Sequence, residues 1–125
     1  MANPNIVGVT TIVGITTFFS LSTTDATLIA SNASSSGKVF KINSIIVGNI
    51  DGANTANITL KIHNAAAGAG TGVAFANTID VIADSTLVAI DKASSFYLGE
   101  NKSLTATASA ADDLSVTCSF EEISS

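Results

Sequence analysis

Hydrophobic and polar residues alternate with a period of two along several short segments of this chain. Ile58, Leu60 and Ile62 alternate with polar neighbours, and the same pattern runs through residues 104–109 and again through 114–121. In a β-strand, successive side chains point to opposite faces, so this period predicts strands with one buried and one solvated face. The chain is therefore predicted to build at least part of a β-sheet.

The connections between these segments carry turn residues. Residues 39–50 are almost continuously apolar and β-branched, which is typical of a long strand buried on much of both faces. Asp51-Gly52 follows this strand, and Asp112-Asp113 separates the last two alternating segments. Such residues favour tight turns, so the sequence predicts one hairpin around residues 51–52 and a second one around 112–113.

The whole chain predicts an all-β protein. About eight short strands follow one another with short turns, and no apolar stripe of helical period extends over ten or more residues. This pattern is typical of a single antiparallel β-sandwich, with either jelly-roll or immunoglobulin-like strand order. We assign residues 22–125 to the sandwich and residues 1–21 to an N-terminal strand or extended arm.

The N-terminal segment is more apolar than the first strand of so small a sandwich needs to be. It contains two similar runs rich in β-branched residues, at 7–11 and 13–17. An apolar surface of this kind marks a contact with another protein. The predicted assembly interface consists of Ile6, Val7, Val9, Ile12, Val13, Ile15, Phe18 and Phe19.

Charge and composition exclude several classes of function. Only 12% of the residues are charged, the net charge is −5, and the five basic residues are all lysines. Without arginine the chain lacks the side chain that grips phosphate bidentately, so we expect no nucleic-acid binding and a neutral or basic partner. Threonines interrupt the apolar stretch before residue 22, which is also too short to span a bilayer. Neither a membrane span nor a secretory signal is expected.

Residues with catalytic or ligand-binding chemistry are few and scattered. His63 is the sole histidine and lies on the predicted solvated face of its strand, while Cys118 lies on an apolar face and is expected to be buried. Gly68, Gly70 and Gly72 lack the lysine of a phosphate-binding loop. We expect no enzyme activity, no cofactor and no metal site, although weak calcium binding stays open at two loops, formed by Asp112 with Asp113 and by Asp51, Asn54 and Asn57.

Several segments together resemble small virion structural proteins of marine tailed bacteriophages, including cyanophages. The similarity spans nearly the whole chain and rests on residues 3–7, 35–44, 49–52, 97–110 and 118–124. Gly99 and Asn101-Lys102 depart from the more acidic turn of that family. The matching motifs are structural, so the resemblance implies no catalytic residue and no ligand site.

The resemblance implies a virion component that is made in the host cytoplasm and assembled without secretion. The leading hypothesis is a capsid decoration, or cement, protein that binds the major capsid protein and itself forms an oligomer, with a trimer favoured. The alternative is a neck, tail or fibre component, which forms an adaptor ring or a receptor-facing knob. A hydrolase or lectin would instead need a defined pocket with convergent polar groups.

Overall fold

The computed structural model describes residues 6–124. Within this range the chain forms nine β-strands and three single-turn 3-10 helices. The strands are β1 Thr11–Ser20, β2 Thr27–Asn32, β3 Lys38–Asn49, β4 Ala56–His63, β5 Gly72–Val81, β6 Thr86–Ile90, β7 Phe96–Leu98, β8 Lys102–Ala108 and β9 Leu114–Ser124. The 3-10 helices are Ile6–Gly8, Ala66–Gly68 and Lys92–Ser94. None of the helices in this range is long and apolar enough to cross a membrane.

The strands form two antiparallel sheets that pack face to face. One sheet has the order β1-β9-β3-β6, with the short β7 also paired to β3, and the other has the order β2-β8-β4-β5. The predicted all-β sandwich is therefore confirmed, with nine strands instead of about eight. The strand orders β1-β9-β3-β6 and β2-β8-β4-β5 are those of a jelly roll, which decides between the two strand orders left open by the sequence.

Both predicted hairpins are wrong. β3 pairs with β6, β7 and β9 but not with β4, and β8 pairs with β2 and β4 but not with β9. The turns at residues 51–52 and 112–113 therefore carry the chain from one sheet across to the other. A tight turn rich in Asp and Gly reverses the chain direction equally well within a sheet or between two sheets, so the turn residues alone do not select the pairing.

The core lies between the sheets and is filled by alternate residues of the strands that the sequence analysis identified. Ile58 and Leu60 of β4 and Val116 and Cys118 of β9 all belong to this core, and all four are fully buried. Phe40 and Phe120 stack with their ring centroids 4.9 Å apart. Because the side chains from both inner faces interdigitate, burial of this apolar surface is the main force that holds the two sheets together.

Two buried asparagines tie the sheets together at the ends of strands. Asn32 at the end of β2 donates through Nδ2 to the backbone oxygens of Lys38 (2.9 Å) and Leu98 (3.1 Å), which both lie in the other sheet. Asn49 at the end of β3 donates in the same way to the oxygen of Val81 in β5, at 2.8 Å. Each amide thus satisfies backbone carbonyls that the ladder hydrogen bonds leave open, which fixes where the chain changes sheets.

The N-terminal segment is a strand of the sandwich over most of its length. β1 pairs with β9 in continuous register from Thr11 opposite Ser124 to Ser20 opposite Ser115. Of the strand and the extended arm considered for residues 1–21, residues 11–20 form a strand, and β9 would lose its neighbour along ten residues if they were removed. Residues 1–5 of that segment lie outside the described residues.

Candidate assembly surface

β1 forms one edge of the five-stranded sheet. Within residues 6–124 it pairs with β9 alone. The backbone N–H of Leu21 donates to the oxygen of Leu114 at 2.9 Å. This bond shows which residues of β1 direct their backbone groups toward β9, that is, the phase of the ladder. Hydrogen-bonded residues alternate along an antiparallel pair, so the odd-numbered residues of β1 bond to β9. The N–H and C=O groups of Ile12, Gly14, Thr16 and Phe18 consequently point away from the sheet.

The eight predicted interface residues divide into an inner and an outer group. Ile15 and Phe19 are partly buried and pack against the core, so they form the inner group. Phe18 is 77% exposed, Ile12 55% and Val13 46%, and Ile6 and Val7 before β1 are exposed as well, while Val9 is half-buried. Five of the eight residues therefore offer apolar surface to a partner.

The exposed Phe18 begins a row of apolar and threonine side chains that crosses the five-stranded sheet. In register, Phe18 lies opposite Thr117, Thr117 lies opposite Ile46, and Ile46 lies opposite Val88. Residues directly opposite each other share a face of the sheet, so these four form one continuous transverse row on the outer face. Val88 at the far end is 56% exposed. We call these four residues the outer row.

The rows beside the outer row carry short, uncharged side chains. The rows next to the outer row contain only Gly, Ser and Thr: Thr16, Ser119 and Ser44 on one side, and Ser20, Ser115, Gly48 and Thr86 on the other. The face carries one opposed charge pair, Lys41 with Glu121, near its end. A surface with short side chains and little charge loses little hydration when another protein covers it.

Ile46 and Val88 were not identified as surface residues from the sequence. Both lie in apolar runs, at residues 39–50 and 86–90, that indicate buried strands. Only the register with β9 and β6 shows that they point outward. In the structure, Val88 falls between Leu87 and Ala89, which both pack against the core. Because strand residues alternate between the two faces, this position points Val88 outward.

His63 lies on the outer face of the other sheet, yet it is buried. The loop after β4 folds back over this face and is held there by Ser103, whose Oγ accepts from the N–H of Gly68 at 2.8 Å and donates to the oxygen of Ala65 at 2.7 Å. The prediction of an exposed histidine is wrong, because the ring lies against Gly72, its partner on β5, and beside the buried Thr105. His63 Nε2 is 2.8 Å from Thr105 Oγ1, and Nδ1 has no hydrogen-bond partner among the described residues.

The neighbours of His63 do not form a nucleophilic site. Thr105 is itself buried, and no carboxylate or other third group orients the ring through Nδ1. A cleft of about 310 Å³ opens beside the ring, and Lys102 is the only charged residue in its lining. It is lined by Ile62, His63, Asn64, Thr71, Val73 and Lys102.

The two carboxylate loops proposed for weak calcium binding meet at one end of the sandwich. The carboxyl groups of Asp51 and Asp113 lie close enough for each to influence the pKa of the other. Hydrogen bonds from Ala53 N–H and Asn54 lower the pKa of Asp51, while desolvation and then the charge of Asp51 raise the pKa of Asp113. No group of three or more acidic, histidine or cysteine residues in the described part of the chain is arranged to hold a metal.

Cys118 is fully buried in the core, as predicted. Desolvation raises the pKa of its thiol to about 12. The thiolate is the reactive form, so this cysteine is inert in the folded protein and cannot reach a cysteine of another chain.

Comparisons with known proteins support the fold. No family model and no curated protein matches this chain. Its fold is similar to that of a chain from Bacillus endospore appendages, which form a novel family of disulfide-linked pili. The TM-score is 0.53, the sequence identity is 19%, and the alignment covers 91% of this chain and 88% of the other. At this identity the likeness concerns the fold, a β-sandwich also used by a structural protein.

Proposed function

We propose that this chain is a non-catalytic structural protein of a tailed-phage virion, and that it decorates the capsid by binding the major capsid protein. The observation that carries the proposal is the outer face of the five-stranded sheet. It carries few charges and has short side chains beside the outer row, which has a 77% exposed phenylalanine at one end. Apolar surface of this kind marks a protein contact, and the resemblance to phage virion proteins supplies the class of particle.

The dimensions of this face fit a repeated contact. Four strand positions spaced about 4.8 Å apart and about seven residues of about 3.3 Å each give an area of roughly 400 Å². A standard interface buries about 800 Å² on each partner, so one face alone supports weak binding. Many equivalent copies, each bound weakly, stabilise a shell collectively because the contacts act in parallel on the same particle.

Particles that lack this protein provide a direct binding test. The purified protein is added back, and bound protein is measured after sedimentation of the particles. Val88→Asp introduces a charge into the outer row, and we expect it to lower occupancy at least tenfold. Val73→Asp is a matched control, because Val73 is also an exposed valine but belongs to the other sheet. Equal binding of both variants would contradict docking through the outer row.

The second candidate is a neck, tail or fibre component of the same virion. The similarity in fold to a chain from a pilus favours it, because a pilus is also an extended assembly of protein subunits. The two candidates differ in stoichiometry. A decoration protein covers the whole head and is present in hundreds of copies, whereas a neck or tail component is present in tens or fewer.

A further inference from the structure

We propose that β1 pairs with β1 of a second copy of this chain, antiparallel and about a twofold axis at Ile15. The pairing joins the five-stranded sheets of two copies into one continuous sheet. This proposal concerns only contacts between copies of this chain, so it does not depend on the proposed role in a virion.

β1 lacks the devices that protect other edge strands from pairing. Charged side chains, proline and bulges normally blunt a free edge. β1 contains no charged residue and no proline, and it pairs with β9 over ten residues without a shift in register. The other sheet has the edge strands β2 and β5, and both pair with register shifts. β1 is therefore the longest regular edge of the described chain.

The phase of the ladder restricts how a second β1 can pair. The even-numbered residues of β1 direct their backbone groups away from β9, so these residues must form the hydrogen-bonded pairs of a new ladder. With the axis at Ile15, Ile12 of each copy lies opposite Phe18 of the other, and Gly14 lies opposite Thr16. The four pairs between residues 12 and 18 then exchange about eight backbone hydrogen bonds.

The same register matches the exposed apolar side chains of β1. Phe18 and Ile12 are the two most exposed apolar residues of the strand, and they lie six residues apart on the outer face. A twofold axis midway between them places Phe18 of one copy opposite Ile12 of the other, which is a favourable pair of an aromatic and a β-branched residue. On the inner face, the exposed Val13 meets Thr17. One symmetry operation thus covers all three exposed apolar side chains of β1.

A twofold dimer differs from the trimer that the sequence analysis favoured. An isologous contact of β1 with itself closes after two copies. Phe18 then takes part in the dimer contact, while Thr117, Ile46 and Val88 of the outer row stay uncovered. The outer faces of the two copies lie side by side, which doubles the area available to a partner. The two interfaces are separable, because Val88 lies at the opposite edge of the sheet from β1.

Sedimentation equilibrium of the purified full chain tests the dimer. We expect a mass of about 25 kDa, twice the 12.5 kDa of one chain. Thr16→Pro removes an N–H that points away from β9, so it should give a monomer while keeping the pairing with β9. Phe18→Asp should also give a monomer, whereas Val88→Asp should stay dimeric. Circular dichroism and thermal unfolding establish that each variant is folded.

Disulfide cross-linking tests the register. Gly14→Cys with Thr16→Cys places cysteines on opposite strands at a Cα distance of about 5.5 Å, which a disulfide spans. Nothing lies within 4 Å of a side chain added at Gly14, and the native Cys118 is buried and does not compete. Gly14→Cys with Ser20→Cys is the matched control, since these positions face each other only if the axis moves to residue 17.

We expect the first double variant to form a covalent dimer under mild oxidation and the control to stay uncrosslinked. A monomeric or trimeric wild-type protein would overturn the pairing. So would a dimer that survives both Thr16→Pro and Phe18→Asp, or one that cross-links only in the control. Loss of particle binding by Val88→Asp with an intact dimer would leave the β1 pairing standing, so the two proposals can fail separately.

Discussion

Phe18 and Phe19 are neighbours in sequence with opposite roles, and their replacement by alanine separates stability from binding. Phe18 lies on the outer face of β1 and is 77% exposed, whereas Phe19 packs against the core. We therefore expect Phe18→Ala to reduce association and to destabilise the fold much less than Phe19→Ala does. Phe19→Ala should destabilise the fold and leave the outer surface unchanged.

The magnitudes follow from the burial of each ring. A fully buried phenylalanine removes roughly 200 Å² from water, so the quarter of Phe18 that is covered corresponds to about 50 Å², or about 1 kcal/mol at about 25 cal/mol per Å². Truncation of a buried phenylalanine costs about 3–5 kcal/mol because a cavity remains. Phe19 is only partly buried, so we expect a loss of about 2–4 kcal/mol for Phe19→Ala.

Urea unfolding followed by circular dichroism measures the change in the free energy of unfolding for both variants. Sedimentation of the folded variants with particles measures binding. If Phe18→Ala were the more destabilising of the two, the assignment of faces along β1 would be refuted. If Phe19→Ala abolished binding while the protein remained folded, the division of this segment into an inner and an outer group would be refuted.

Three further predictions concern single sites. Cys118 should react with a thiol reagent only as fast as the protein unfolds, and rapid labelling in native buffer would contradict its burial. Gly72→Ala places a Cβ 2.7 Å from the His63 ring and should cost about 1–3 kcal/mol in urea unfolding, whereas Gly14→Ala meets nothing within 4 Å and should be neutral. Asp113→Asn should raise Tm at pH 7. The folded-state pKa of this carboxyl is raised, so its ionisation destabilises the fold above that pKa, and the gain should vanish near pH 3. A gain that persists at pH 3 would contradict this origin.

The sequence alone predicted the strands well because alternation reports directly which side of a strand is buried. Residues 58–62 and 114–120 lie in strands whose inner residues are the ones that alternation indicates. The pairing of these strands was not predictable in the same way. In a sandwich, a short turn leads either to the neighbouring strand or across to the other sheet, and the local residues are the same in both cases.

The surface was predicted only in part, for a related reason. An apolar strand at the edge of a sheet has residues on both faces, and the composition of β1 did not distinguish Phe18 from Phe19. That distinction depends on the register with β9. The burial of His63 depends on Gly72 and Thr105, which lie on two other strands, and no local pattern reveals contacts between distant residues.

Cys118 also separates this chain from the assembly described for its neighbour in fold. The endospore appendages form disulfide-linked pili. This chain has a single cysteine, and it is buried in the core. The proposed association therefore involves no disulfide, and we expect reducing agents to leave the oligomeric state of the protein unchanged.

The number of copies of this chain per purified particle tests the proposed function most directly. Quantitative mass spectrometry against the major capsid protein gives this number without any assumption about the interface. A decoration protein predicts hundreds of copies, in a fixed ratio to the capsid subunits. Tens of copies would favour the neck, tail or fibre alternative, and the absence of the chain from purified particles would contradict a virion role.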